Sequence, residues 1–213
     1  MIKAIVFDVD GVLIDSNNII VEAYQKTAEK LGLRIPSSRE IVDLMGRPLA
    51  EIVRTLWAKS DAKLYTEEYR SLFMDETLVI PAIEDAVKAV SVMRESGLRF
   101  GVLSGKMRFF IKKHLREAGF DIKWFDTIVS FETTKKHKPH PEPLLYAVNQ
   151  LGVKTEETVY VGDSISDYEC AKNAQVTYFA VLTGSLKRED LEKLGVRNII
   201  NSVADLPEHL TKI

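Results

Sequence analysis

The sequence has little cysteine, no long apolar run and no large excess of charge of either sign. Its single cysteine, Cys170, excludes an internal disulfide and a cysteine-rich zinc site, and we expect it to be a small buried apolar side chain. No segment approaches the ~18 apolar residues of a membrane span, and the apolar start Ile2–Phe7 is too short for a signal-peptide core. We therefore expect a cytoplasmic protein with no membrane partner.

Charge also bears on the partners. The chain carries 29 basic and 31 acidic residues, a net charge of −2, so no general field attracts it to nucleic acid. A single short basic run, residues 135–138, does not change this expectation. Any anion that the protein binds must be held by local groups, which favours a small-molecule ligand over a polyanion.

The composition is that of a globular protein, with 46% hydrophobic and 28% charged residues. At 213 residues the chain is longer than one average domain of ~150 residues and too short for two. This length predicts one ordinary domain with a smaller unit added to it.

Six short apolar runs rich in β-branched or aromatic residues predict strands. They are Ile2–Phe7, Leu98–Leu103, Thr127–Phe131, Thr158–Val161, Thr177–Leu182 and Arg197–Ile200. Segments with helical periodicity, each closed by a glycine, separate the later runs. These are Ile83–Glu95, Met107–Ala118 and Pro143–Leu151. The alternation predicts an α/β fold, a three-layer α/β/α Rossmann-like core with a parallel sheet and helices on both faces.

The interval between Asp15 and Leu98 is far longer than a strand-to-helix connection needs. Its residues are helical in pattern: Ile19–Leu31, a capping box at Ser37–Glu40, Leu49–Ala58 and Thr66–Thr77. We therefore predict a small α-helical cap domain at residues 16–80, inserted into a discontinuous core made of residues 1–15 and 81–213. The aromatic pair Phe109-Phe110 outside this insertion indicates helix-on-sheet packing.

Polar residues follow four of the predicted strands. The four groups, in chain order, are Asp8-Val9-Asp10-Gly11, Ser104-Gly105-Lys106, Lys138-Pro139, and Gly162-Asp163-Ser164 with Asp167. Open parallel sheets bind ligands at the carboxyl ends of their strands, so these groups are expected to converge.

The acidic residues Asp8, Asp10 and Asp163 stand directly after their strands. At 4 Å and an effective dielectric constant of 20, each pair of such charges repels by about 4 kcal/mol, so the cluster requires a cation. A hard divalent ion with oxygen ligands, Mg²⁺, suits carboxylates with no soft ligand nearby. A calcium loop does not match, because Val12 and Ile19 stand where it needs ligands.

A phosphate group would find complementary partners at the same edge of the sheet. Lys138 supplies a second positive charge, Ser104 a hydroxyl, and Gly11 and Gly105 backbone amides. A metal beside these donors predicts a site for phosphoryl chemistry.

In order and strand placement, the four groups resemble the four motifs of the haloacid dehalogenase-like (HAD) superfamily. More narrowly, they are similar to its phosphatase and phosphomutase branch, in which a helical cap follows the first motif, as in phosphoglycolate phosphatases and β-phosphoglucomutases. The aspartate at Asp10 is what separates this branch from the dehalogenases proper. The resemblance covers essentially the whole chain.

The resemblance implies a role for each matching residue. Asp8 would attack phosphorus and form an aspartyl-phosphate, and Asp10 would protonate the leaving oxygen and then activate water. Ser104 and Lys138 would hold the phosphate oxygens that are not transferred.

The implied magnesium site also follows from the motifs. Its residues would be Asp8, Asp10 through its backbone carbonyl, Asp163 directly, and Asp167, which would bind through water or steady Lys138. Substrate contacts would come from the cap, where Arg47 in the turn Gly46-Arg47-Pro48 is the candidate. Asn17 and Lys106 are further candidates to line the cleft.

These inferences predict a Mg²⁺-dependent phosphatase that hydrolyses a small phosphorylated metabolite, a phosphomonoester, as a monomer or small homo-oligomer. A phosphosugar mutase of the β-phosphoglucomutase type would use the same aspartates and remains open. A receiver-like signalling module is the non-enzymatic alternative. Receivers lack a cap and carry the acceptor aspartate after the third strand, where this chain has Ser130-Phe131-Glu132.

Overall fold

A parallel sheet forms from all six of the apolar runs. In the computed structural model, which describes residues 1–58, 60–75, 78–184 and 186–211, each strand lies inside a predicted run or within one residue of it. The strands are β1 (Ala4–Phe7), β2 (Arg99–Leu103), β3 (Thr127–Val129), β4 (Thr158–Gly162), β5 (Thr177–Val181) and β6 (Ile199–Ile200). They are hydrogen-bonded in the order β3-β2-β1-β4-β5-β6, and every pairing is parallel.

The α-helices account for most of the remaining regular structure. Those in the described residues are α1 (Asn17–Lys30), α2 (Ser38–Val42), α3 (Leu49–Leu56), α4 (Ala62–Leu72), α5 (Ala86–Glu95), α6 (Arg108–Glu117), α7 (Glu142–Gln150), α8 (Ile165–Ala174), α9 (Arg188–Lys193) and α10 (Leu206–Leu210). The capping box of α2 is present, with Ser37 and Glu40 bonding each other's backbone N–H. Within these residues no helix is both long and apolar enough to cross a membrane.

The two faces of the sheet bury separate apolar clusters, as an α/β/α sandwich requires. Along β1, Ile5 and Phe7 point into one cluster, whereas Ala4 and Val6 point into the other. Buried side chains of α5, α6 and α10 belong to the first cluster, and those of α7, α8 and α9 belong to the second. Both faces are therefore covered, and the predicted fold class is confirmed.

Helices α1–α4 lie between β1 and α5, in the long interval that interrupts the alternation. The two chain segments that connect them to the sheet layer are paired, because Asp15 N–H donates to the Pro81 carbonyl over 2.9 Å and Ile14 forms a bridge with Ala82. The helix predicted at Thr66–Thr77 begins one turn earlier, since Asp61 caps it by accepting from the N–H groups of residues 63 and 64. Its predicted last residue, Thr77, lies outside the described residues.

Contacts among these helices are aromatic. The Tyr65 hydroxyl donates to the Tyr24 carbonyl over 2.7 Å, and its ring lies 4.7 Å from that of Trp57. Their buried side chains continue the first apolar cluster. The division into a core of residues 1–15 and 81–213 and a cap domain of residues 16–80 stays a prediction.

Candidate active site

The strand order reverses its direction of growth between β1 and β4, which places a crevice at their carboxyl ends. Asp8 follows β1 and Asp163 follows β4, so the two carboxylates flank this crevice. Asp8 is held by its N–H, which donates to the Val161 carbonyl over 2.9 Å. Its side chain is buried, and its Oδ1 has no hydrogen-bond partner among the described residues.

Lys138 lies between two carboxylates. Its Nζ is 3.1 Å from Asp8 Oδ1, an electrostatic contact, and donates to Asp167 Oδ1 over 2.6 Å. Tyr160, in the middle of β4, donates its hydroxyl to the same Asp167 oxygen over 2.5 Å. The other oxygen, Asp167 Oδ2, accepts from the Ser164 hydroxyl over 2.6 Å and from the Ser164 N–H over 3.1 Å. Both Asp167 oxygens therefore have partners in the protein.

Burial and these contacts shift the ionisation of the cluster. Burial raises the pKa of Asp8 to about 7, with Lys138 opposing the shift and the charges of Asp167 and Asp10 adding to it. Burial also acts to raise the pKa of Asp167, but Lys138 and the hydrogen bonds hold it below its ordinary value. The pKa of Lys138 lies above its ordinary value despite burial, because Asp167 and Asp8 flank it. Lys138 is therefore charged.

The carboxylates of Asp8, Asp163 and Asp167 offer oxygens within 4.8 Å of one another, and all three residues are buried. Glycines allow this close approach. A Cβ on Gly11 would lie 2.5 Å from Asp163 Oδ2, and one on Gly162 would lie 2.5 Å from the Asp167 Cβ. A hard divalent cation matches this all-oxygen set.

Asp10 is turned towards a different set of groups. Its Oδ1 accepts from the Ser16 hydroxyl and from Lys106 Nζ, the latter over 2.5 Å. Lys106 Nζ also lies 3.4 Å from Nδ1 of the buried His114. Burial and the Lys106 charge lower the pKa of His114 to about 3, so its imidazole is neutral and can accept from Lys106. Asp10 is thereby tied to Ser16, which precedes α1, and to Lys106, which precedes α6.

The remaining predicted core residues, Ser104, Gly105 and Gly11, differ in where their polar groups are directed. Ser104 is buried at the cleft, and its hydroxyl accepts from the Lys106 N–H over 3.2 Å. Gly105 faces the turn at Arg47, whose carbonyl would lie 3.8 Å from a Cβ at this position. The Gly11 N–H, which we expected to hold phosphate, donates to the Ile14 carbonyl over 2.9 Å. Gly11 is needed instead for its φ of +70° and for the space that Asp163 occupies.

These groups open onto one cavity of about 160 Å³ between α1–α4 and the sheet edge. Asp8, Asp10, Ser104, Lys138 and Asp163 line it from the core. The inserted helices contribute the predicted candidates Asn17 and Arg47, among other residues. The Arg47 guanidinium is half-exposed and pairs with Glu51 over 3.2 Å.

Three residues of the site were not anticipated. Phe110 lines the cavity, and its ring centroid lies 6.4 Å from that of Phe73 in the insertion. The neighbouring Phe109 is 56% exposed, so the helix-on-sheet packing expected for this pair is wrong for Phe109. His114 lies one turn further along the same helix face, a spacing that the sequence contains. Tyr160 has no polar neighbour in sequence that would mark it, because its partner Asp167 belongs to the next helix. Cys170 is buried as expected, and burial raises its pKa to about 12.

Comparison with known families agrees with this arrangement. The haloacid dehalogenase-like hydrolase family profile matches residues 5–181, which include all four motifs. The chain belongs to this family. A relative from Caldanaerobacter subterraneus is 35% identical over 195 residues, covering 90% of this chain and 87% of that protein. Another, from Halalkalibacterium halodurans, is named pyrophosphatase PpaX and is 28% identical, covering 96% of this chain and 95% of that protein.

Solved structures show the same fold. A hydrolase from Pseudomonas syringae superposes with a TM-score of 0.86 at 22% identity, covering 99% of each chain. A β-phosphoglucomutase from Clostridium difficile superposes with a TM-score of 0.79, also at 22% identity, covering 100% of this chain and 96% of that one. These likenesses are in the fold, whereas the family profile shows that the chain is a HAD-like hydrolase.

Proposed function

We propose that the protein is a Mg²⁺-dependent phosphatase that hydrolyses a small phosphorylated metabolite, a phosphomonoester, through an aspartyl-phosphate on Asp8. The observation that carries the proposal is the buried Asp8 carboxylate, whose Oδ1 lies 3.1 Å from the charged Lys138 and which offers an oxygen within 4.8 Å of one of Asp163. Such a carboxylate is a nucleophile whose neighbours can neutralise the charge of an incoming phosphate.

In the first step an Asp8 oxygen attacks phosphorus, and the bond between phosphorus and the ester oxygen breaks. Asp10 gives a proton to the departing oxygen, which leaves as an alcohol. In the second step Asp10 takes a proton from water, whose oxygen attacks the same phosphorus and releases phosphate from Asp8. Ser104 and Lys138 bind the phosphate oxygens throughout.

Asp8, Asp163 and the Asp10 carbonyl would hold the magnesium ion. When bound, Mg²⁺ supplies charge neutralisation between Asp8 and the phosphate group. Asp167 is assigned a positioning role, because both of its oxygens already accept hydrogen bonds and one of them holds Lys138.

Arg47 is the proposed cap contact to substrate, supported by its place among the residues that line the cavity. Pyrophosphate is a second candidate substrate, favoured by the name of the Halalkalibacterium relative. A phosphosugar mutase would use the same Asp8 and Asp10, and incubation with β-glucose 1-phosphate tests it by formation of glucose 6-phosphate rather than free phosphate.

The proposal is tested by phosphate release from a panel of sugar phosphates, phosphoglycolate, nucleotides and pyrophosphate, with Mg²⁺ and with a chelator. We expect turnover that needs Mg²⁺ and is lost in Asp8→Asn. Turnover that survives the chelator would contradict the metal assignment, and turnover that survives Asp8→Asn would contradict the nucleophile. The exposed Asp121→Asn, in which the changed carboxylate lies outside the cavity, is the matched control.

A further inference from the structure

The cavity at Asp8 is lined by two chemically different sets of residues. One set is the carboxylates and Lys138 described above. The other set is four aromatic residues, Tyr24, Tyr69, Phe73 and Phe110, which we call the aromatic wall. Tyr24 lies on α1, Tyr69 lies on α4 and Phe73 directly follows α4, whereas Phe110 lies on α6.

The aromatic wall is continuous. The rings of Tyr24 and Tyr69 are 4.7 Å apart, those of Tyr69 and Phe73 are 5.1 Å apart, and those of Phe73 and Phe110 are 6.4 Å apart. Tyr24, Phe73 and Phe110 are each no more than 9% exposed. Two aliphatic residues of the insertion, Ile20 and Ile52, extend the apolar surface of the same cavity.

Two of the cations near the wall, Lys106 and Arg47, have carboxylate partners. Lys106 Nζ, 6.0 Å from the Phe73 ring, pairs with Asp10, and Arg47 pairs with Glu51. A second phosphate group placed against this wall would lose its hydration without gaining an unpaired cation from either residue. Arg70, a further lining residue of the insertion, is the group through which a diphosphate would compete.

From the aromatic wall and the carboxylate pairing of Lys106 and Arg47, we infer that the preferred substrate is a phosphomonoester of a largely apolar, ring-bearing alcohol, in preference to pyrophosphate or a polyhydroxylated phosphate. This inference rests on the proposed function, because it names the leaving group of the same site. Burying one additional apolar group in an enzyme pocket commonly changes selectivity about 10-fold to 200-fold.

Binding of phosphonates tests the inference without requiring turnover. Calorimetric titration of the full chain with benzylphosphonate, methylphosphonate and methylenediphosphonate, at one free Mg²⁺ concentration, gives three dissociation constants. We expect benzylphosphonate to bind at least about tenfold more tightly than the other two. Equal binding of benzylphosphonate and methylphosphonate, or tighter binding of methylenediphosphonate, would overturn the inference.

Variants locate the effect. Phe110→Leu and Tyr69→Leu each remove one ring of the wall, so either is expected to reduce the preference for benzylphosphonate over methylphosphonate by about threefold or more. Using both keeps the test valid if one variant folds poorly. Tyr146→Leu, which removes an exposed ring on α7 outside the cavity, should leave the preference unchanged. A preference that survives both wall substitutions would count against the wall as its source.

Hydrolysis separates this inference from the proposed function. The kcat/KM values of benzyl phosphate and glycerol phosphate, both esters of primary alcohols, should differ at least about tenfold in favour of the benzyl ester. Turnover that depends on Asp8 but favours glycerol phosphate or pyrophosphate would overturn only the substrate inference. Tight benzylphosphonate binding without any turnover would uphold the pocket and contradict the proposed function.

Discussion

Lys138 Nζ lies 3.1 Å from Asp8 Oδ1, and both side chains are almost wholly buried. A charged lysine between two buried carboxylates stabilises their ionised forms, and this contact joins the stability of the fold to the chemistry of the site. Removing either partner should therefore lower the activity, but the two substitutions should change the stability in opposite directions.

Lys138→Met should destabilise the fold by about 3 kcal/mol or more at neutral pH, because it leaves Asp8 and Asp167 buried without their cation. The loss should shrink at acid pH, where both carboxyls can be protonated. Urea unfolding at several pH values measures it. Lys136→Met, an exposed lysine two residues away, is the control and should be near neutral. A Lys138→Met variant as stable as the native protein at pH 8 would contradict the charge balance described here.

Asp8→Asn should abolish phosphatase activity and yet increase stability in the absence of metal. Burial raises the pKa of Asp8 to about 7, so the ionised carboxylate is disfavoured in the folded state and this cost grows as the pH rises from about 4 to 7. Above pH 7 the variant should be more stable by about 1–4 kcal/mol, since one pKa unit corresponds to about 1.4 kcal/mol. The gain should vanish towards pH 4. Thermal unfolding in the presence of a chelator measures this difference. An Asp8→Asn variant that unfolds at a lower temperature than the native protein above pH 7 would contradict the prediction.

The acid side of the pH–activity profile should depend on Mg²⁺ concentration. With the pKa of Asp8 raised to about 7, the nucleophile is increasingly protonated below that pH, and the activity at low metal should fall with it. Mg²⁺ binds the ionised carboxylate and competes with the proton, so more metal should move the acid limb to lower pH. Profiles of kcat/KM at two Mg²⁺ concentrations test this. If the acid side of the profile does not move with Mg²⁺ concentration, a group other than Asp8 determines the loss of activity at low pH.

Tyr160→Phe should reduce kcat about tenfold, the effect expected for loss of a hydrogen bond to a charged group, with a smaller change in KM. The hydroxyl donates to the Asp167 oxygen that also holds Lys138, so its loss should loosen the position of Lys138. Tyr178→Phe is the matched control, because Tyr178 pairs with Tyr160 across β4 and β5 and its buried hydroxyl has no hydrogen-bond partner among the described residues. Equal effects of the two substitutions would contradict the positioning role.

The sequence was sufficient to predict the sheet and the motif residues, because apolar runs set the strands and position after a strand sets the edge at which a residue lies. The first and last residues of the strands and helices were less predictable. Strand β3 ends at Val129, before the predicted Phe131, and α5 begins at Ala86 because Asp85 takes a left-handed conformation with φ of 58°. Local pattern does not reveal such a conformation in a residue other than glycine.

Contacts between distant segments were the part of the site that sequence could not supply. Lys106 was recognised only as a cleft candidate, and its pairing with Asp10 depends on how two loops approach each other. The meeting of Phe110 with Phe73 depends on how the inserted helices pack against α6, which periodicity within either helix does not determine. The capping aspartate of α4, by contrast, is visible in the sequence at position 61.

The central claim is that Asp8 carries the phosphoryl group during turnover. Rapid quenching of the enzyme during turnover of its best substrate, followed by borohydride reduction and peptide mass spectrometry, tests it directly, because reduction converts an aspartyl-phosphate to homoserine. The account predicts homoserine at position 8, with Asp10, Asp163 and Asp167 unmodified. Turnover with no modification at Asp8, or with homoserine at another aspartate, would contradict it.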